Sequence, residues 1–475
     1  MATSMSSISL SCSILIFLLT LHPCCCSLKT FETHNIKIVS FLPLDYCNQS
    51  SPVHHRGSSL KIEHRHGPCA SLTNDKRRAK KSPSHDEEML LQDQLRVKSM
   101  HARFSNKNAG SHFKEMQADI PVQSGIPLGA GNYLVKMALG TPKLSLSLAL
   151  DTGSDITWTQ CEPCVGSCYR QAQTKFDPRK SSSYKNVSCS SSSCRIITDS
   201  GGARGCVSST CIYKVQYGDG SYSVGFFATE KLTISPSDVI SNFLFGCGQQ
   251  NAGRFGRIAG LLGLGRGKLS LALQTSEKYN NLFTYCLPSF SSSSTGHLTL
   301  GGQVPKSVKF TPLSPAFKNT PFYGIDIKGL SVGGHVLPID ASVFSNAGAI
   351  IDSGTVITRL QPTVYSALSS KFQQLMKDYP KTDGFSILDT CYDFSGNESI
   401  SVPRISFFFK GGVEVDIKFF GILTVINAWD KVCLAFAPND DDGDFVVFGN
   451  SQQQTYDVVH DLAKGRIGFA PSGCN

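Results

Sequence analysis

From about residue 120 onward, apolar and polar residues alternate in short runs broken by glycine-rich turns. The stretches GNYLVKMALG (131–140), IYKVQYGDGS (212–221), FYGIDIKGLSVGGHVLPI (322–339) and DFVVFGN (444–450) share this period-two texture, which predicts short β-strands. One segment changes period. In QPTVYSALSSKFQQLMKDY (361–379), Val364, Leu368, Phe372 and Leu375 recur on one helical face behind Pro362, which predicts a helix with a packing stripe. The serine-rich stretches 181–193 and 289–294 read as surface loops. The expected class is mostly β, in two halves. The 475 residues exceed what a single core usually serves, so two lobes are expected.

The first 120 residues have a different texture. An apolar stretch from about Ile8 to Leu21 is followed by small residues and cysteines and is too short to span a bilayer comfortably. It reads as a cleaved secretory signal, residues 1–26, although no Lys or Arg precedes it; the rival is a serine-rich organelle transit peptide. Residues 27–120 hold HHRGSSLKIEHRHGPC and KRRAKKSPSHDEEMLLQDQLRVKSMHARF, with Leu91, Leu95, Met100 and Phe104 suggesting a partly amphipathic helix. The whole stretch reads as a propeptide. It carries 15 Lys and Arg against 10 Asp and Glu, whereas residues 121–475 carry 30 against 26. The basic excess of the protein, +9 in all, is therefore concentrated in the removable segment. It is not the clustered basic face of a nucleic-acid binder. Lys76–Lys81 reads as a solvated, protease-accessible linker rather than a nuclear signal. No later segment is apolar enough for a transmembrane helix, and no membrane partner is expected.

Of 18 cysteines, Cys12, Cys24, Cys25 and Cys26 lie in or beside the signal, and Cys47 and Cys69 lie in the propeptide. The remaining twelve suggest six disulfides in an oxidising compartment. The rival for CEPCVGSC (Cys161, Cys164, Cys168) is a zinc site, but a second Cys/His cluster with ligand spacing is missing, so no metal or other cofactor is expected. Asn48, Asn186 and Asn397 open sequons for N-glycosylation.

One pattern is written twice. LALDTGSDITWTQC centres on Asp151, and AIIDSGTVITRL repeats it around Asp352, each as an apolar run, Asp, a hydroxyl residue, Gly and a second hydroxyl residue. A single copy is ordinary turn chemistry. Two copies, one per half, let a two-lobed molecule bring both carboxylates to one axis. Carboxylates in close contact do not both ionise cheaply, so the pair would share a proton. One member then takes a proton from water while the other donates to a carbonyl oxygen, which is hydrolysis by general acid–base catalysis without a covalent intermediate. Gly153 and Gly354 allow close approach of backbone. Ser154 and Thr355 are placed to donate to the carboxylates, and Thr152 and Ser353 to tie the loops together.

On these motifs the protein resembles the pepsin-type aspartic endopeptidases, most of all the plant branch that includes the nepenthesins, across essentially all of residues 125–475. DTGSDITW puts Trp158 at the family's tryptophan behind the flap. YGDGSYSVGFFATEKLTI resembles the plant flap, which would make Tyr217 the flap tyrosine, with Gly218 and Asp219 beside it. IAGLLGLGRGKLSL and VVFGNSQQQTYDVVHDLAKGRIGFAP resemble the paired apolar-Gly loops beside each aspartate. The resemblance implies a bilobal double-β-barrel fold with a central cleft, an N-terminal lobe over 121–305 and a C-terminal lobe over 306–475. It implies bonds Cys161–Cys164, Cys168–Cys247, Cys189–Cys211, Cys194–Cys206, Cys286–Cys474 and Cys391–Cys433. It further implies a monomeric zymogen that is inhibited by its own propeptide, cleaves polypeptides at acidic pH and is secreted to the apoplast, with vacuole or chloroplast as alternatives. No saposin-like insert is present. Two other readings stand beside this one. Pepsin-fold binding proteins such as plant xylanase inhibitors and seed globulins are catalytically inert, but they typically lose part of the dyad or flap that is kept here. The propeptide stretches LKIEHRHGPCA and DQLRVKSMHARF also resemble those of a subgroup that includes a chloroplast nucleoid DNA-binding protease. With the charge in the removable segment, the mature form is expected to have no stable nucleic-acid partner.

Overall fold

The structure, a computed structural model, describes residues 31–38, 47, 58–72, 83–108 and 133–474. The signal stretch, the run Lys76–Lys81 and Asn48 lie outside these residues. The early segment contributes strands β1 (Thr33–Lys37) and β2 (Ser58–His64) and helix α1 (Pro83–Asn108). Strands β3 (Tyr133–Leu139), β4 (Leu144–Asp151) and β5 (Trp158–Gln160) follow. The architecture is mostly β, and the helix predicted in the second half forms over Pro362–Leu375 with Val364, Leu368 and Phe372 buried.

The largest sheet runs through strands Arg466–Ala470, Asp457–Asp461, Leu282–Cys286 and Gly296–Leu300, then β2, β3 and β4. β2 sits inside this sheet. It pairs antiparallel with Gly296–Leu300 on one side and with β3 on the other, with Leu60 and Ile62 in the core. Burying two such side chains contributes about 1.5–3 kcal/mol each. β1 adds a strand to Ser399–Pro403 in full register, and Arg404 pairs with Glu32 at 2.9 Å. The early segment is therefore woven into the sheets. A disulfide joins Cys47 to Cys69 within it.

The duplicated sequence pattern is a duplicated backbone. β4 runs parallel to Gly260–Gly263, placing Asp151 opposite Gly263, and β5 pairs antiparallel with the same strand. In the second half, Ala349–Ile351 runs parallel to Val446–Phe448, and Arg359 of Thr358–Leu360 pairs with Val447. The hydroxyl of Thr157 accepts the Gly263 amide at 3.1 Å, and that of Thr358 accepts the Gly449 amide at 2.9 Å. Each apolar run is buried up to its aspartate.

Two expectations from the sequence need correction. The covered stripe of α1 is Leu90, Asp93, Val97 and Met100, whereas Leu91 and Leu95 are 48% and 44% exposed. The helix turns a charged residue inward because a buried partner awaits it, which apolar periodicity does not register. Four of the six cysteine pairings also change, to Cys161–Cys247, Cys164–Cys168, Cys189–Cys206 and Cys194–Cys211. Cys161 follows β5, which runs parallel to Asp238–Ala252, and this register brings Cys247 within 5.4 Å Cα–Cα. Cys164 and Cys168 then close a local turn. In the second cluster the bonds sort by burial. Cys194 on helix Ser192–Asp199 meets Cys211, both fully buried, and the less buried Cys189 meets the exposed Cys206. The bonds Cys286–Cys474 and Cys391–Cys433 form as the resemblance implied. All three cysteines of CEPCVGSC are thus in disulfides.

Candidate active site

Asp151 and Asp352 stand at the ends of their buried strands and are 2% and 0% exposed. Each loop holds its carboxylate with the same two donors. The Gly153 amide donates to Asp151 Oδ1 at 3.0 Å and the Ser154 hydroxyl to Oδ2 at 2.5 Å. The Gly354 amide donates to Asp352 Oδ1 at 3.1 Å and the Thr355 hydroxyl to Oδ2 at 2.6 Å. The loops are cross-tied. The Thr152 amide donates to Ser353 Oγ at 3.1 Å, and the Ser353 amide to Thr152 Oγ1 at 2.8 Å. Neither glycine tolerates a larger residue. A Cβ at Gly153 would lie 2.8 Å from Asp352 Oδ1, and one at Gly354 would lie 2.5 Å from Asp151 Oδ1.

The stretch expected to be the flap is the hairpin turn between strands Thr210–Gln216 and Tyr222–Ser235, and Tyr217 and Gly218 line the same cavity as Asp151. The Tyr217 amide donates to Ser221 O, and Gly220 takes a positive φ of 82° at the tip. Asp219 accepts the Ser221 amide and hydroxyl at 3.0 and 2.8 Å, so it shapes the turn rather than reaching the dyad. The Trp158 indole donates to the Tyr217 hydroxyl at 2.7 Å, which fixes the phenol against Phe255. Burial holds the Tyr217 phenol well above its ordinary pKa, so it stays protonated. Asn186 and Asn397, the sequons that fall within the described residues, lie on the surface.

The cleft is occupied by α1. Arg96 Nη2 lies 2.6 Å from Asp151 Oδ1 and 2.9 Å from Asp352 Oδ2, and its Nε reaches Asp352 Oδ2 at 3.1 Å. One guanidinium thus bridges both carboxylates. Burial alone would push the Asp151 carboxyl up. The Arg96 charge, with donation from Ser154, Arg96 and Gly153, overcomes that and holds it below the usual carboxylate value. Further residues of α1 anchor it, three of them through ion pairs of Glu88, Lys98 and Asp93. Glu88 pairs with Arg254 at 3.1 Å, Lys98 with Asp440 at 3.0 Å, and Asp93 with Arg359 at 2.9 Å. Met100, Val97 and Phe104 pack on Phe317, Phe322, Ile350 and Phe445, while Leu90 packs on Val356, Ile357 and Leu388. The flap backbone meets the same helix, since a Cβ at Gly218 would fall 2.5 Å from the Leu95 carbonyl oxygen.

With this geometry established, the comparisons decide the family. The family descriptions Xylanase inhibitor N-terminal and Xylanase inhibitor C-terminal match residues 133–302 and 322–471. An Arabidopsis thaliana protein named as an aspartyl protease family protein is 51% identical over 449 residues, 94% of each sequence. The chain belongs to the plant pepsin-type aspartic proteases, in their nepenthesin-like branch. Nepenthesin-2 of Nepenthes gracilis is 37% identical over 369 residues, covering 76% of this chain and 82% of that one. Among solved structures, the one titled edgp superposes with a TM-score of 0.58 at 21% identity over 72% of this chain and 91% of its own. Basic 7S globulin from soybean gives 0.58 at 19% identity over 73% and 94%. These two likenesses concern the fold alone.

The sequence reading did not find Arg96, Asp93 or Arg359. A signal for the last was present. VITRL places an arginine in an apolar strand, and a buried guanidinium requires a carboxylate partner. Nothing in the spacing tells that the partner lies 266 residues earlier.

Proposed function

We propose that this member of the family is an active endopeptidase made as a zymogen. With α1 withdrawn, Asp151 and Asp352 lose the shared guanidinium and are left as two buried carboxylates braced by equivalent donors. Such a pair retains one proton, the general behaviour of dyads of this class. The ionised member takes a proton from a water whose oxygen attacks the peptide carbonyl carbon, and the protonated member gives its proton to the carbonyl oxygen. Collapse of the tetrahedral intermediate returns a proton to the leaving amine and breaks the C–N bond. Tyr217, held by Trp158, covers the substrate and limits water. Within the segment 27–120 the helix α1 is the inhibitor, and acid withdraws it from the cleft while β2 stays in its sheet. A secretory route suits the seven disulfides among the described residues and the leader-like start.

The observation that carries this reading is the intact symmetric brace of both aspartates, with Arg96 bridging them from a segment upstream of the rest of the fold. An inert binding protein would have no need of it. The test is hydrolysis of a denatured protein from pH 3 to pH 7, with and without pepstatin, for wild type, Asp151→Asn and Asp352→Asn. Acidic, pepstatin-blocked cleavage falling by about 10²–10⁴-fold or more in each variant is expected. Folded wild-type protein, treated with acid until α1 has left the cleft, that cleaves nothing would overturn the reading in favour of the inert one.

A further inference from the structure

Arg359 is one of the largest fully buried side chains among the described residues. Its Nη2 donates to Asp93 Oδ2 at 2.9 Å and its Nη1 to the Ile357 carbonyl at 3.4 Å. The Asp93 carboxylate also accepts two backbone amides, Val356 at 2.6 Å and Ile357 at 3.1 Å. One carboxylate is thus gripped by a guanidinium and two N–H groups, the donor set of a built carboxylate site. Asp93, Arg96, Asp151, Gly354 and Val356 line the same cavity, so this site adjoins Asp151 of the dyad. All three donors belong to the strand and loop that follow Asp352, whereas the carboxylate that fills them belongs to α1.

When α1 departs, the donors remain and their acceptor does not. A buried guanidinium and two inward amides without an acceptor are costly, and water or a ligand must satisfy them. We propose that this pocket is a substrate subsite for a peptide carboxylate, either that of an acidic residue or the terminal one, and that Asp93 occupies it as a stand-in. The inference rests on the endopeptidase reading and adds a specificity to it. Asp93 and Arg96 are three residues apart on one helical face, a separation of about 5–6 Å between Cβ atoms. An extended peptide advances about 3.3 Å per residue. The selected carboxylate therefore falls within a few residues of the bond cleaved.

The experiment measures kcat/KM at about pH 5, above the ordinary glutamate pKa of about 4.3. The protein is the full-length form, first held at acid until α1 has left the cleft and then brought to the assay pH. The substrates are peptides sharing one cleavage site, with Glu or Gln at each of three flanking positions on either side, and with a free or amidated C-terminus. At one position Glu is expected to exceed Gln at least tenfold, or the free C-terminus to exceed the amide by as much. In Arg359→Met the winning ratio is expected to collapse toward one. Should that variant not fold, the wild-type ratios carry the test alone. Normal cleavage of the Gln peptides with every ratio near one would overturn the subsite and leave the endopeptidase reading standing. If nothing is cleaved, the endopeptidase reading is what fails. The same peptides, carrying a fluorophore, are then titrated for binding, where a tenfold tighter Glu peptide or free acid supports the pocket and equal affinities overturn it.

Discussion

Trp158 and Arg359 occupy the same place in the two halves. Each lies seven residues after its aspartate, on the short strand that follows the turn, and each is fully buried. Each donates a hydrogen bond toward the cleft, the indole to Tyr217 and the guanidinium to Asp93. The difference lies in the partner. Trp158 holds the flap, a part of its own half, and needs nothing else. Arg359 holds a residue of the early segment and loses that acceptor when α1 leaves. One duplicated backbone position thus serves as a permanent brace in one half and as an exchangeable anchor in the other.

This contrast predicts unequal responses. Asp93→Asn keeps the shape of the residue but leaves Arg359 buried without its counter-charge. Removing one partner of such a pair typically costs about 3–5 kcal/mol, and here the loss falls on the docked state of α1. Burial already drives both members toward neutrality, lifting the Asp93 carboxyl and lowering the Arg359 guanidinium. Limited proteolysis or amide exchange at neutral pH is expected to find α1 opened in this variant while the protein from residue 133 onward stays protected. Equal protection in both would dissolve the distinction between anchor and brace. Trp158→Phe is the smaller perturbation. It removes one hydrogen bond, worth about 1 kcal/mol, from the flap and leaves α1 docked. Turnover by the processed protein should fall several-fold with no change in the acid needed to release α1. A change in that acid requirement would couple the two halves more tightly than the contrast allows.

Legibility in the sequence followed the same divide. The two aspartates, their glycines and hydroxyl residues could be read as one brace because the turn that carries each aspartate is local and written twice. The hairpin carrying Tyr217 could be placed from one contiguous motif. The cysteine pairing could not, because strand register, not spacing, brought Cys247 beside Cys161. The inward face of α1 was misplaced at Leu91 and Leu95 because its orientation is set by Asp93 and Arg96, polar residues whose partners are distant in sequence. Long-range charge pairing leaves no periodicity.

The central claim is that an acid-released Arg96 stands between the dyad and its substrate. Arg96 holds Asp151 ionised, so closure is strongest above the ordinary aspartate pKa of about 3.9 and is lost as pH falls through the lowered value. The direct test follows cleavage of a quenched peptide by the full-length protein as pH is stepped down from 7, for wild type and Arg96→Ala. Wild type should stay silent until the pH approaches about 4 and then mature, whereas Arg96→Ala should cleave already at milder acidity without a lag. Identical pH onsets in the two proteins would contradict the account.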